Sequence, residues 1–175
     1  RYGIYAPTNN YNLRAILVDD QAAIDELEEI NLRFVRRIYN LFYRPWIVFG
    51  LLRRLTPAMQ EKDKVKIEAG LDRKGVFSHA PAMVFVVGHK WIAHSEASAH
   101  YALYNMILYA QAQGVGSTIS GGGKLALGSN KAAHEVLGLE KGESILAILL
   151  LGYPAVRFRN KVNGKAMPAV WAGGP

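Results

Sequence analysis

Cysteine is absent from the 175-residue chain. Disulfides, thiolate metal sites, cysteine-ligated iron–sulfur clusters and cysteine nucleophiles are therefore excluded from this piece. Long apolar runs are missing too: stretches such as Ile145 to Leu151 fall far short of the roughly 20 residues that cross a bilayer as a helix. No segment joins a basic flank to a signal-type apolar core and cleavage site, so a cytoplasmic location is expected. Carboxylates are scarce, 14 against 21 lysines and arginines for a net charge of +7, which suits an anionic ligand or partner. These cations are spread over several segments without a dense tract or a recognisable nucleic-acid module, so no nucleic-acid partner is expected. Half of the residues (50%) are hydrophobic and a fifth (20%) charged, the composition of one domain with a sizeable core. The first residue is Arg1 rather than Met, and the natural protein is expected to start earlier.

What is present alternates strand and helix signals. LRAILVDD (Leu13 to Asp20) predicts a strand handing over to a helix capped by Asp19 or Asp20. In the helix that follows, Ile24, Leu27, Ile30, Phe34, Ile38, Leu41 and Phe42 recur at helical spacing until Pro45, with Arg33, Arg36, Arg37 and Arg44 mostly opposite. A second apolar piece, WIVFGLLRRL, leads to Thr56-Pro57, and a Lys-rich helix over Ala58 to Ala69 is expected to close at Gly70. APAMVFVVGH (Ala80 to His89) reads as a buried strand. Ser95 to Gly114 reads as a helix with Ser95 as N-cap and Gly114 as its stop. It is apolar on most faces, which predicts a central, buried helix. SNKAAHEVLGL opens on a second serine cap and ends at Gly138, and ESILAILLLGYP (Glu143 to Pro154) is the strongest strand. The order predicts an α+β or α/β sandwich with a small sheet.

Between the central helix and the next one lies GVGSTISGGGKLALGS, with six glycines and a lysine in sixteen positions. A phosphate-binding P-loop would need Gly at 118 and Ser or Thr at 125, where the chain has Thr118 and Leu125. Gly121 to Ala126 matches Gly-x-Gly-x-x-Ala by letter, but that fingerprint must join a strand to a helix, and here a helix is expected to feed the loop. No Gly-x-Ser-x-Gly elbow or His-Glu-x-x-His pair exists, and His89, His94 and His100 are not spaced to share a helix face, so no metal site is expected. Two readings remain open: a flexible turn, or glycines that let main-chain N–H groups approach a flat ligand.

Four stretches, in order, resemble the FMN-dependent nitroreductase family: YGIYAPTNNYN, FSHAPAMVFVV, YALYNMILYAQAQGVGSTISGGG and VLGLEKGESILAILLLGYP. Together they cover most of the chain. The resemblance implies an α+β nitroreductase-like sandwich, with a small mixed or antiparallel sheet flanked by helices, over residues 1–175 as a single FMN domain lacking its N-terminal portion. It also implies a domain-swapped homodimer with one FMN at each subunit interface. In the family the glycine loop lays its backbone against the flavin, with an N–H aimed at N5, which here implies Ser120, Gly121 and Gly122. Ala6, Pro7 and Thr8 match the family's Ala-Pro-Ser/Thr, and Asn10 and Asn12 stand in for its Asn-x-Gln. For the phosphate, Lys165 matches a basic residue after the Gly-Tyr-Pro strand, with Gly164 where the family often has arginine; Arg157 and Arg159 are weaker candidates. The family's upstream Arg-Arg-Ser-x-Arg stretch is not in this sequence.

The activity implied is hydride transfer from a reduced donor, NAD(P)H or reduced ferredoxin, through flavin N5 to a small electron-poor acceptor such as a nitroaromatic or quinone. No catalytic side chain is required when the cofactor carries the electrons. The alternatives are a flavin-binding sensor or assembly protein with little turnover, and a basic scaffold without flavin. Some family members carry a ferredoxin-like domain ahead of this one. The arginine-faced helix and PWIVFGLLRRL have no clear counterpart in the shared pattern. A lid or dimer-packing helix is the simpler reading, a membrane-lying helix the other, and membrane contact is not expected.

Overall fold

Three aliphatic runs become the long strands, and two of them, buried on both faces, set the layering. The computed structural model describes residues 12–55, 67–68, 71, 77 and 79–156. Strand β1 is Leu13–Val18, β2 is Ala82–His89, β3 is Gly116–Ile119 and β4 is Glu143–Gly152. They form one four-stranded sheet in the order β1-β2-β4-β3. Every pairing is antiparallel, so among the described residues the sheet is antiparallel rather than mixed, and the fold class is α+β as expected.

In β2 the alternation is regular. Met83, Phe85 and Val87 face one core, and Val84 and Val86 face the other. In β4 the alternation is broken: Ile145, Ile148 and Leu150 face the first core, while Leu146, Ala147 and Leu149 face the second. The reason is a register shift, in which Val86 pairs with Ala147 but Val87 pairs with Ile145, leaving Leu146 as an extra residue. A bulge of this kind sends two successive side chains, Leu146 and Ala147, to one side, and because both faces of β4 are buried the run is aliphatic throughout.

Helix α1, Gln21–Ile38, starts where Asp20 caps it by accepting from the Ala23 N–H at 3.0 Å. It buries Ile24, Leu27 and Ile30 in the first core. The helical pattern does not simply run on to Pro45. After Ile38 the backbone widens into one π-helical turn, Tyr39–Tyr43, with the Arg44 N–H donating to the Tyr39 carbonyl five residues back at 2.9 Å. Leu41 is consequently exposed rather than in the core. Helix α2, Trp46–Leu55, follows, held to the π turn by Tyr43 against Phe49, ring centroids 5.5 Å apart. Of the expected Lys-rich helix, only residues 67 and 68 are described, and they are helical; the remainder lies outside the described residues.

Helix α3, Ser95–Ala112, lies on the second core through Ala99 and Leu103. Its start corrects the sequence expectation. Ser95 is not the cap: His94, at φ +62°, occupies that position without a capping bond, and Ser95 is the first helical residue. The Ser95 hydroxyl is buried and accepts instead from Asn12 Nδ2 at 2.9 Å, a tertiary partner invisible to local pattern. The stop is as expected. Gly114, at φ +74°, donates to the Gln111 carbonyl, and Val115 donates to Ala110, the paired bonds of a left-handed helix end. The expectation of a helix buried all round is also corrected, because Tyr101 and Tyr104 are 63% and 59% exposed.

Two short helices complete the first layer. Helix α4 is Gly121–Leu127, and helix α5 is Lys131–Val136. The cap of α5 is Asn130, whose carbonyl accepts from Ala133, and not Ser129; its end at Gly138, φ +58°, repeats the pattern seen at Gly114. No described helix is long and apolar enough to cross a membrane.

An ion pair closes one end of the sheet. Arg14 grips both carboxylate oxygens of Glu143, at 2.8 and 2.6 Å, and also donates to the Gly138 carbonyl at 3.0 Å. Glu143 accepts from the Glu140 N–H as well, so β1, β4 and the turn between α5 and β4 meet at one carboxylate. The Arg14 hydrogen bonds pull the Glu143 carboxyl below the usual range, against the opposing effect of burial. A group with a lowered folded-state pKa stabilises the fold fully above the ordinary carboxylate range and ceases to do so as the pH falls through the folded value. Because Arg14 is partly exposed, Glu143→Gln is expected to cost about 1 kcal/mol at neutral pH. Urea unfolding should show that difference shrinking on acidification; an unchanged difference at acid pH would assign the effect to packing.

Candidate functional site

The glycine-rich segment is built on the unequal lengths of β3 and β4. Strand β3 pairs only with Leu149 to Gly152 of β4. At Ser120 the chain makes one last sheet-like bond, its N–H to the Ile148 carbonyl at 3.0 Å. It then turns into α4, which continues beside the rest of β4. The Ser120 hydroxyl caps α4 by accepting from the Gly123 N–H at 3.3 Å. The segment expected to be a loop fed by a helix is therefore strand, cap and helix. That removes one ground for setting aside a dinucleotide loop, but β3 is an antiparallel strand and no parallel crossover is formed.

The three glycines differ in what their missing side chains allow. A Cβ on Gly123 would lie 2.7 Å from the Phe77 ring and 3.3 Å from Ile148. Gly123 is thus a packing glycine, required by a buried aromatic that sits over α4. A Cβ on Gly121 or Gly122 would meet nothing within 4 Å. Both residues are exposed, and their N–H groups, at the first two positions of α4, have no intrahelical acceptor. Among the described residues nothing in the packing requires glycine there, and the open backbone is suited to a flat ligand at van der Waals distance.

The first turn of α3 connects this segment to the start of β1. Ser95 takes the Asn12 amide, and Glu96 pairs with Lys124 of α4. Lys124 hydrogen bonding holds the Glu96 carboxyl below its usual range. Lys124 is accordingly engaged with a carboxylate, and Asn12 uses its NH₂ inside the fold. Sequence reading missed Ser95, Glu96 and Lys124 as positioning residues; the only local signal was a Ser-Glu helix opening, which is equally a capping pattern. Among the other residues expected at the site, Ala6, Pro7, Thr8, Asn10 and Lys165 lie outside the described residues, as do Arg157 and Arg159. Of the three histidines considered for a metal, His100 Nδ1 meets the Glu96 carbonyl at 2.7 Å, His89 lies against Gly142, and His94 is the left-handed residue that precedes α3.

A model of the nitroreductase family matches residues 6–153. The chain belongs to the nitroreductase family. Solved structures agree in fold. An FMN-bound nitroreductase from Desulfitobacterium hafniense DCB-2 superposes with a TM-score of 0.65 at 18% identity, covering 91% of this chain and 75% of its own. One from Bacteroides fragilis NCTC 9343, also with bound FMN, gives 0.62 at 17% identity, covering 97% and 81%. An FMN- and NADPH-dependent nitroreductase from sphigopyxis sp. strain HMH gives 0.58 at 18% identity, covering 93% and 84%. No curated protein matches the chain in sequence.

In this nitroreductase-family chain the glycines can be separated by a stability measurement alone. Gly123→Ala is expected to lower unfolding free energy by about 1–3 kcal/mol through overpacking against Phe77. Gly121→Ala should leave it within about 0.5 kcal/mol or raise it slightly, because alanine favours the helix. Equal losses at both positions in chemical denaturation would contradict this division.

Proposed function

We propose that this nitroreductase-family protein is an FMN-dependent oxidoreductase that passes hydride or electrons from NAD(P)H to a small electron-poor acceptor, a nitroaromatic or a quinone. The observation that carries the reading is the open backbone at Gly121 and Gly122, two glycines that, among the described residues, have free N–H groups and no packing reason to be glycine. FMN, when bound, supplies reversible hydride exchange at N5 of its ring. The chain's part is to place that ring. Gly121 and Gly122 offer main-chain donors without side-chain bulk, and Ser120 fixes the backbone from which they project. A fixed donor beside N5 stabilises the charge that develops there and adds no titrating group. Ala6, Pro7, Thr8, Asn10 and Asn12 are assigned to the ring's polar edge, and Lys165 to the phosphate, where a cation strengthens anion binding. Asn12 reaches this role with one of its two amide hydrogens already given to Ser95, leaving its side-chain carbonyl oxygen and the second N–H to offer. A cytoplasmic setting, with a replenished nicotinamide pool, suits the donor. The NADPH dependence of the sphigopyxis enzyme supports a nicotinamide donor over ferredoxin.

The family's homodimer is assigned to α3. Its outward stripe, Tyr101, Tyr104 and Leu108, follows helical spacing and is exposed in one chain. Three large side chains in a row on a helix of low charge suit a surface covered by a second copy.

The visible spectrum of the full-length protein tests the chemistry. A flavin band that bleaches anaerobically with NADPH or NADH and returns on adding a quinone or nitroaromatic is the expected outcome. Gly121→Val should weaken FMN retention at least about tenfold with little loss of unfolding free energy; a variant that stays yellow and active would move the flavin elsewhere. For assembly, Tyr104→Arg is expected to shift sedimentation from dimer toward monomer, and an unchanged dimer would release α3 from that role.

A further inference from the structure

Between Glu29 and Glu61 the chain runs 31 residues with six arginines, no lysine and no carboxylate: Arg33, Arg36, Arg37, Arg44, Arg53 and Arg54. Helix ends explain some of this. Arg36 and Arg37 sit in the last turn of α1, where the dipole favours cations. Arg44 caps the π turn and Arg54 lies in the last turn of α2, where the same dipole acts, whereas Arg33 lies ahead of any helix end; Arg33, Arg36, Arg37, Arg44 and Arg54 are all exposed. The same region exposes aliphatic surface. Leu41 on the π turn and Leu51 on α2 are 58% and 59% exposed, and Val48 joins them. Val48, Leu51 and Arg54 recur every three residues along α2, so apolar and cationic groups share one outward side.

This side is presented by an arm rather than by the core. Helix α2 is attached through Phe49, which is buried against Tyr43, and Tyr43 stacks in turn on Tyr39 with rings 4° from parallel. Tyr39 is anchored by its hydroxyl to Glu68. The aromatic ladder fixes the arm from its inner side and leaves the outer side free of any role in the sheet.

We propose that this outer face of the α1 end, the π turn and α2 binds the surface of a bilayer containing anionic phospholipid. The chemistry selects that occupant. Guanidinium forks pair with phosphate oxygens and are less strongly hydrated than ammonium groups, so five exposed arginines without a lysine favour a dense phosphate surface. Leu41, Val48 and Leu51 would enter the boundary between headgroups and acyl chains, which a soluble polyanion does not provide. The absence of acidic residues over the whole stretch removes the repulsion that a negatively charged leaflet would otherwise meet. Contact of this kind is peripheral and does not require a spanning helix.

The test is co-sedimentation of the full chain with vesicles of phosphatidylcholine alone and of phosphatidylcholine mixed with an equal amount of phosphatidylglycerol. Binding is expected only to the anionic vesicles, weakening as salt is raised. Each arginine near an anionic surface is worth about fivefold in affinity, so Arg36→Glu with Arg37→Glu should lose more than about tenfold. Leu51→Ser, which removes the apolar side chain without adding charge, should also weaken vesicle binding several-fold while leaving binding to heparin unchanged. Circular dichroism and the oligomeric state of each variant serve as controls for folding. Three results would overturn the proposal: no anionic-vesicle binding by the unaltered protein, vesicle binding indifferent to Leu51→Ser, or dissociation of a dimer by Leu51→Ser, which would give this face to a second copy. None of these readouts depends on flavin, so failure here leaves the oxidoreductase reading standing.

Discussion

The pairing of β2 with β4 is the constraint on which the rest of the structure depends. Both strands are buried on both faces through most of their length, and a sheet whose middle faces core on two sides must have a covering layer on each. Helices α1, α4 and α5 cover one face and α3 covers the other. The small residues Ser98, Ala99 and Ala102 let α3 approach closely, while larger side chains fill the opposite layer. Because the apolar content of β2 and β4 is committed to these two cores, variation in function is left to the edges and to the outward sides of the helices.

The edge beside β4 is where that freedom is used. A partner strand that ran the full length of β4 would satisfy its backbone and leave no room. Instead β3 stops after four residues and Ser120 turns the chain into α4. Gly123 permits close packing under Phe77, and the two positions before it are left open. Phe77 is itself held by its N–H, which donates to Glu28 of α1 at 2.9 Å. The position of the open backbone is therefore set by a chain of contacts from α1 through Phe77 to Gly123, with α3 adding a second brace through Glu96 and Lys124. Preorganisation of this kind is what a backbone donor requires, since it has no rotamer with which to adjust.

Two surfaces are left over once the cores and the edge are accounted for. The tyrosine stripe of α3 is large, aromatic and weakly charged, features of a surface buried between like chains. The arm formed by the π turn and α2 is aliphatic and cationic, features of a surface that meets phosphate and hydrocarbon together. Their different chemistry separates self-association from contact with a charged layer, and it assigns the chain's positive charge a place where it has a use.

The sequence alone determined the elements whose signals are local. An aspartate cap at 19 or 20, which the structure gives to Asp20, Gly114 and Gly138 as helix stops, and β1, β2 and β4 as strands follow from side-chain hydrogen bonding, left-handed backbone and β-branched or aliphatic runs, all of which act within a few residues. The order of four motifs likewise determined the family. Tertiary structure decided what depends on distant partners. Ser95 was available as a cap, but Asn12 claims its hydroxyl. Gly121 to Gly123 carry a poor helix propensity, about 1 kcal/mol each against alanine, yet the Ser120 cap and the burial of Ala126 and Leu127 make them the start of a helix. The hydropathy of α3 marked it for burial without saying against what, because an apolar face reads the same whether its cover is the same chain or another.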